Sequence, residues 1–136
     1  MAQTNKYNGV LYKHSKLTEE IIGAFFTVYN ALGYGFLEKV YANALKLELE
    51  KRSLKVKQEF PIVVRYPEQI VGEYYTDLVV NDLIIDEIKA TKTLLQEHEA
   101  QLLNYLKATP YEVGLLLNFG PNPEQKRRSL NNNHKK

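Results

Sequence analysis

The sequence predicts an α/β fold: one small mixed β-sheet flanked by helices, in the order α-α-β-β-β-α-β. Three observations carry that expectation. Two stretches near the N-terminus repeat their apolar residues at helical spacing. Three runs between Leu54 and Lys89 are rich in strand-forming residues and are separated by polar breaks. A helical segment then separates the last of these from a further apolar run, EVGLLLN. A strand reached through a helix generally lies parallel to the one before it.

The 136 residues fit one domain with a real core. Hydrophobic residues make up 44% and charged residues 25%, the balance of an ordinary soluble globular protein. The polar N-terminus does not read as a signal peptide, and no apolar run approaches the length of a membrane span. Together with the absence of cysteine, this suggests a cytoplasmic protein. Without cysteine there is no disulfide, no thiolate zinc site and no cysteine-bound iron–sulfur cluster. Any metal must be held by oxygen or imidazole, which favours Mg²⁺ or Mn²⁺. A net charge of +2 permits a nucleic-acid partner without arguing for one.

Taken in order, residues 1–16 read as a flexible N-terminal arm, 17–120 as the domain and 121–136 as a polar C-terminal tail. Thr18 reads as the N-cap of a first helix, with Glu19 and Glu20 in its first turn. Ile21, Phe25, Val28 and Leu32 give its buried stripe, and Gly33-Tyr34-Gly35 ends it. A second helix spans about Leu37 to Arg52, with Leu37, Val40, Tyr41, Ala44 and Leu45 inward. Glu38 falls on the same general side as Tyr41; an exposed first-turn acid serving the helix dipole is its plainer explanation. Leu54 to Tyr66 reads as an edge or broken strand because Pro61 interrupts it. Tyr74 to Val80 and Leu83 to Lys89 read as a hairpin about Asn81-Asp82. A third helix runs from about Leu94 to Lys107, with Leu95, Leu102, Leu103 and Leu106 toward the core. His98, Gln101 and Tyr105 cluster within about 60° of one another beside that stripe. Glu112 to Asn118 is a buried strand, and Lys126 to Leu130 is at most a short edge strand.

The hairpin carries the chemistry. Asp77 interrupts its first apolar run, and Glu87 and Lys89 end the second. Ionised groups in a strand of Val, Ile and Leu are costly to bury without a partner. Glu87 and Lys89 point to one face, and Asp86 to the other. A plain two-residue turn pairs Asp77 with Asp86 and turns Glu87 away from Asp77. Asp77 and Glu87 meet only if the register shifts by one residue, through a three-residue loop or a bulge. In that register two hard oxygen ligands suit Mg²⁺ and phosphodiester hydrolysis, with Lys89 to orient water or stabilise developing charge. An exposed Glu87–Lys89 ion pair on a half-open sheet fits composition and pattern equally well.

Asp77 followed by Glu87-Ile88-Lys89 resembles the PD-(D/E)XK nuclease signature. Gln101-Leu-Leu-Asn-Tyr105 resembles the Q-x-x-x-Y element of RecB-like members. Gly35-Phe-Leu-Glu38-Lys-Val-Tyr41 looks like the motif that names the GxxExxY protein family, a branch of the same superfamily. The resemblance spans roughly Leu17 to Gly120 and implies a restriction-endonuclease-like core. It implies a metal-dependent nuclease, a hydrolase of phosphodiester bonds in nucleic acid, DNA rather than RNA, with Mg²⁺ or Mn²⁺ as cofactor. By that resemblance Asp77 and Glu87 are metal ligands, the carbonyl of Ile88 a third, and Glu38 a further ligand or base. Lys89 is the catalytic lysine, and Gln101 and Tyr105 hold it and the substrate phosphate. His98 assists, or simply makes a structural hydrogen bond. Thr91 and Lys92 contact phosphate, or lie in a solvated loop. Thr76 stands where the pattern has Pro. The alternative is a catalytically silent protein of nuclease fold that binds nucleic acid or a partner protein. So bare a core is also consistent with a homodimer.

Overall fold

The computed structural model describes residues 5–7 and 10–135, with side chains from residue 13 onward. A short hairpin, β1 (Asn5–Tyr7) and β2 (Val10–Tyr12), precedes the helices. Of the arm expected over residues 1–16, residues 1–4, 8 and 9 lie outside the described residues. Helices α1 (Ser15–Leu32) and α2 (Glu38–Lys51) follow. Strands β3 (Val56–Arg65), β4 (Ile70–Val80) and β5 (Ile84–Lys89) lead to α3 (Gln96–Lys107), β6 (Val113–Phe119) and β7 (Pro123–Ser129). The five long strands form one mixed sheet in the order β3-β4-β5-β6-β7. The β5–β6 pair is parallel and the other pairs antiparallel.

Burial on both faces explains why the central strands read as unbroken apolar runs. On one face Leu78, Val80, Ile84, Ile88, Leu115 and Leu117 pack against Ile21, Phe25, Tyr41 and Leu45 of α1 and α2. On the other, Val79, Ile85 and Leu116 pack against Leu102, Tyr105 and Leu106 of α3.

Five local expectations change, and the first is that Leu32, expected in the buried stripe of α1, is exposed at the end of that helix. Helix α1 begins at Ser15, so Thr18 is not its N-cap; Thr18 is buried inside the helix, and its hydroxyl donates to the Ser15 carbonyl at 2.9 Å. Leu37 and Val40 are exposed, because α2 starts at Glu38 and turns Tyr41, Ala42, Leu45 and Leu49 inward. Leu95 stands outside α3 as an extended, exposed cap residue, and Leu94 packs in the core instead. The C-terminal segment supplies a full edge strand, paired to β6 from Val113–Ser129 to Phe119–Pro123, longer than the short segment expected over Lys126 to Leu130. Its charged side chains are half-buried and turn back to the protein: Lys126 and Arg128 pair with Glu99 of α3, and Glu124 accepts from Asn118 and from the Leu94 amide.

Gly33 and Gly35 adopt the positive φ values, 69° and 116°, that the break between α1 and α2 needs. Gly120 answers a different demand: a Cβ there would lie 2.0 Å from the Thr91 carbonyl oxygen.

Candidate active site

The β4–β5 turn has three residues, Asn81 to Leu83, with Asn81 and Asp82 left-handed at φ 53° and 55°. Asn and Asp tolerate that conformation better than other side chains. Asn81 also accepts the Lys55 amide at 2.9 Å, and Asp82 pairs with Lys55 and Lys57. The resulting register sets Val80 against Ile84 and Leu78 against Asp86, so the next position sets Asp77 against Glu87. This is the one-residue shift that the site required.

At that position the ladder stops and side chains replace it. The Glu87 carboxylate accepts the Asp77 amide at 3.3 Å and the Thr76 hydroxyl at 2.5 Å. The Asp77 carboxylate accepts the Ile88 amide at 2.7 Å. Beyond it β4 continues outward to Ile70, paired only to β3. The partner strand is bent at the same level. Glu59, which would oppose Asp77, is left-handed at φ 54° and drops out of the ladder. Val56 packs on the α1–α2 side, whereas Phe60 and Ile62 pack on the α3 side, so the ribbon changes face across Glu59. Asp77 thus stands at a joint that both faces of the sheet can reach.

Glu87 is 5% exposed, and its carboxyl is pushed up to about 7, first by burial and then by the charge of Asp77. Asp77 is also raised by burial, against the pull of the Ile88 amide. Among the described residues no cationic side chain forms an ion pair with either carboxylate. The exposed Glu87–Lys89 ion pair is therefore not what the protein builds. Lys89 lies close enough for its charge to favour ionisation of both acids.

A cavity of about 200 Å³ opens beside Asp77, lined by Glu38, Lys39, Ala42, Gln58, Glu59 and Asp77. Glu38, the exposed first residue of α2, is brought there by its turn. Tyr41 donates to the Gly33 carbonyl at 2.6 Å and accepts the Phe36 amide at 3.1 Å. Its ring stacks on Phe119 with centroids 4.4 Å apart. The buried tyrosine thus fixes the loop that aims Glu38.

On α3, Tyr105 is 7% exposed, and burial followed by the charge of Glu87 raises its hydroxyl to about 12. Gln101 sits one turn earlier, half-buried, with no hydrogen bond among the described residues. His98 plays a structural part, its Nδ1 accepting the Leu95 amide at 2.9 Å at the start of the helix. Thr91 is held through its main chain by Asn118, and Lys92 is exposed. Sequence reasoning missed Thr76, Glu59 and Asn118. Thr76 was noted only as a departure from a pattern. Glu59 gave no signal, because its part depends on a left-handed bend. Asn118, at the end of EVGLLLN, is a fully buried amide in an apolar strand, and that position was its only clue.

The donor chemistry fits a hard divalent cation. Two carboxylates crowd each other with no organic cation bonded between them, and Mg²⁺ commonly takes one or two carboxylates and completes its shell with water. No three His, Asp or Glu side chains converge on one point among the described residues, so protein carboxylates alone do not make a closed cage.

A mixed sheet sandwiched by helices, with an acid pair and a lysine at an opened strand end, defines a nuclease-type core. A model of the PD-(D/E)XK nuclease superfamily matches residues 15–130, and the chain belongs to that superfamily. Its members generally use divalent metals. No curated protein sequence matches the chain significantly. The crystal structure of SSO0001 shares the fold, with a TM-score of 0.58 at 17% identity over 87% of this chain. The chain spans 60% of that protein's length.

Proposed function

We propose that the protein is a Mg²⁺- or Mn²⁺-dependent nuclease that hydrolyses phosphodiester bonds, in DNA rather than RNA, and that it falls within the GxxExxY branch of its superfamily. The observation that carries this reading is the opposition of Asp77 and Glu87 at the opened end of the β4–β5 ladder, with Lys89 two residues on. Asp77, Glu87 and the Ile88 carbonyl would hold the ion, with Glu38 as a further ligand or base across the cavity. When bound, the ion supplies Lewis-acid polarisation of a phosphoryl oxygen.

The side chains then divide the remaining work. The Lys89 ammonium orients the attacking water and offsets charge developing on the phosphate. The Tyr105 hydroxyl, held protonated, can donate to a phosphate oxygen. Gln101 lies on the same side of α3 as Tyr105, with its amide uncommitted, and completes the hold on phosphate and lysine. Glu38 can take the proton released by water.

Cleavage of single- and double-stranded oligonucleotides with Mg²⁺, Mn²⁺ or chelator tests the proposal. Lys89→Ala should lower the rate by about a hundredfold or more, as removal of a charge-stabilising group does. Equal rates for wild type and Lys89→Ala, or cleavage that persists in chelator, would overturn it.

A further inference from the structure

Beyond Asp77 the β3–β4 ribbon leaves the sheet, and its α3-side face leads from the carboxylates to solvent. Tyr74 lies on this face opposite Ile62 and is 48% exposed. Its ring is held from two sides. The ring centroid of Tyr105 is 5.8 Å away. On its own strand the ring leans over Gly72, where an added Cβ would meet a ring carbon at 3.4 Å. The glycine leaves the strand surface bare where the ring comes to rest. A half-exposed aromatic ring fixed by a second aromatic and by a missing side chain is preorganised for contact through its open side. Its OH tip also makes it amphipathic, unlike an apolar anchor.

The charges of the ribbon decide what that contact is. Past Glu59 and Asp77, the residues on this face are Phe60, Ile62, Val64, Gly72, Tyr74 and Thr76, none of them charged; alternation turns Arg65 and Glu73 to the opposite face. A face without cations cannot grip a duplex through counterion release. Neutral base faces suit it, but within a continuous duplex they are covered by their neighbours. Base–aromatic stacking belongs to single strands and needs no particular sequence.

We infer that Tyr74, backed by Gly72 and Tyr105, is a stacking platform for an unpaired nucleobase beside the scissile phosphate, so that the substrate is single-stranded or presents a splayed end. This rests on the nuclease reading and specifies its substrate. Tyr105 then serves twice, with its hydroxyl facing the carboxylates and its ring supporting Tyr74.

The protein contains no tryptophan, so Tyr74→Trp places a sole indole reporter on the platform. Binding is measured without divalent ion, by indole fluorescence and by anisotropy of a labelled oligothymidylate and of a blunt hairpin duplex. The single strand should quench the indole and the duplex should not. Tyr74→Ala should weaken single-strand binding by about fivefold to a hundredfold and Tyr74→Phe by less than about threefold, given the usual worth of one stacked base. Tyr75→Ala is the control: that ring is more exposed, at 60%, but alternation places it on the opposite face of the ribbon. Circular dichroism confirms that each variant is folded. No quench, equal affinity of Tyr74→Ala and wild type, tighter duplex binding, or no binding of either nucleic acid each overturns the inference; the last would leave the face to a protein partner. Because these readouts need no cleavage, stacking without cleavage would defeat only the nuclease reading, and cleavage without stacking only the platform.

Discussion

Asp86 and Glu87 are adjacent acids with opposite fates, and the difference is one of face. Glu87 looks toward Asp77 and meets donors from Thr76 and Asp77. Asp86 is fully buried on the side packed by α1 and α2, and neither of its oxygens has a hydrogen-bond partner among the described residues. Burial, then the charges of Glu87 and Asp77, pushes its carboxyl well above the usual range. A buried polar group without a partner costs about 1–3 kcal/mol. Asp86→Val, which suits a strand and comes closer to filling the space than alanine, should therefore raise unfolding stability by about 1–2 kcal/mol in urea titration, after some loss to overpacking. A destabilised variant would mean that the carboxyl has a partner. Glu87 makes a different prediction. Its folded value of about 7 lies above the ordinary 4.5, so between these the folded state holds a proton that the unfolded chain has released. Stability without metal should thus fall as pH rises across that window. Divalent-ion binding, which needs the ionised carboxylate, should strengthen over the same window. Melting curves at about pH 5 and about pH 8, with and without excess Mg²⁺, check both signs: the Mg²⁺-induced rise in Tm should be larger at the higher pH.

At the scale of elements, the loops at the two ends of β5 set the site. The loop before it, Asn81 to Leu83, chooses the register. Asp82→Val places a β-branched residue at φ 55° and removes the partner of Lys55 and Lys57. We expect a loss of about 1–2 kcal/mol, mostly from the backbone, readable as an earlier urea midpoint. A weakened turn should also loosen the opposition of Asp77 and Glu87 and reduce Mg²⁺ protection against thermal unfolding. The loop after β5 is tied by Asn118, which lies opposite Lys89 in the parallel ladder. Its amide accepts the Thr91 N–H and donates to the Thr91 carbonyl and to Glu124, each at 2.9 Å. Asn118→Ala removes all three bonds and leaves buried main-chain groups unmet, a cost of about 2–4 kcal/mol. Calorimetry that found less than about 1 kcal/mol would show that the loop holds without this tie.

At the scale of the whole molecule, two helical layers enclose a sheet whose one opened seam lies between β4 and β5. Across the cavity at that seam stands α2, on one side, and α3 brings Tyr105 to the other. The same seam is where the β3–β4 ribbon bends and departs, so the chemistry and the exposed aromatic ribbon share one joint. Among the described residues no helix is long and apolar enough to cross a membrane. An ion that binds only the folded arrangement must stabilise all of it: at about a hundredfold excess over its Kd, Mg²⁺ should add about 2.7 kcal/mol. Glu87→Gln should abolish that gain while the protein stays folded, and a gain that survives the substitution would place the ion elsewhere.

The sequence by itself determined the elements from α1 to β6 and their order, though not the β1–β2 hairpin, because burial on one face or two is written directly as periodicity. It also bore the Asp77, Glu87 and Lys89 spacing and the demand for a shifted turn, since strand alternation allows no other way for those acids to meet. Periodicity could not locate the ends of α1, α2 and β7, where caps and edge pairing rather than apolar spacing decide. The site's electrostatics, the left-handed bend at Glu59, the ties made by Tyr41 and Asn118, and the resting place of the Tyr74 ring were decided only by the tertiary structure. Each joins residues far apart in the chain, through a burial or a contact that no local pattern encodes.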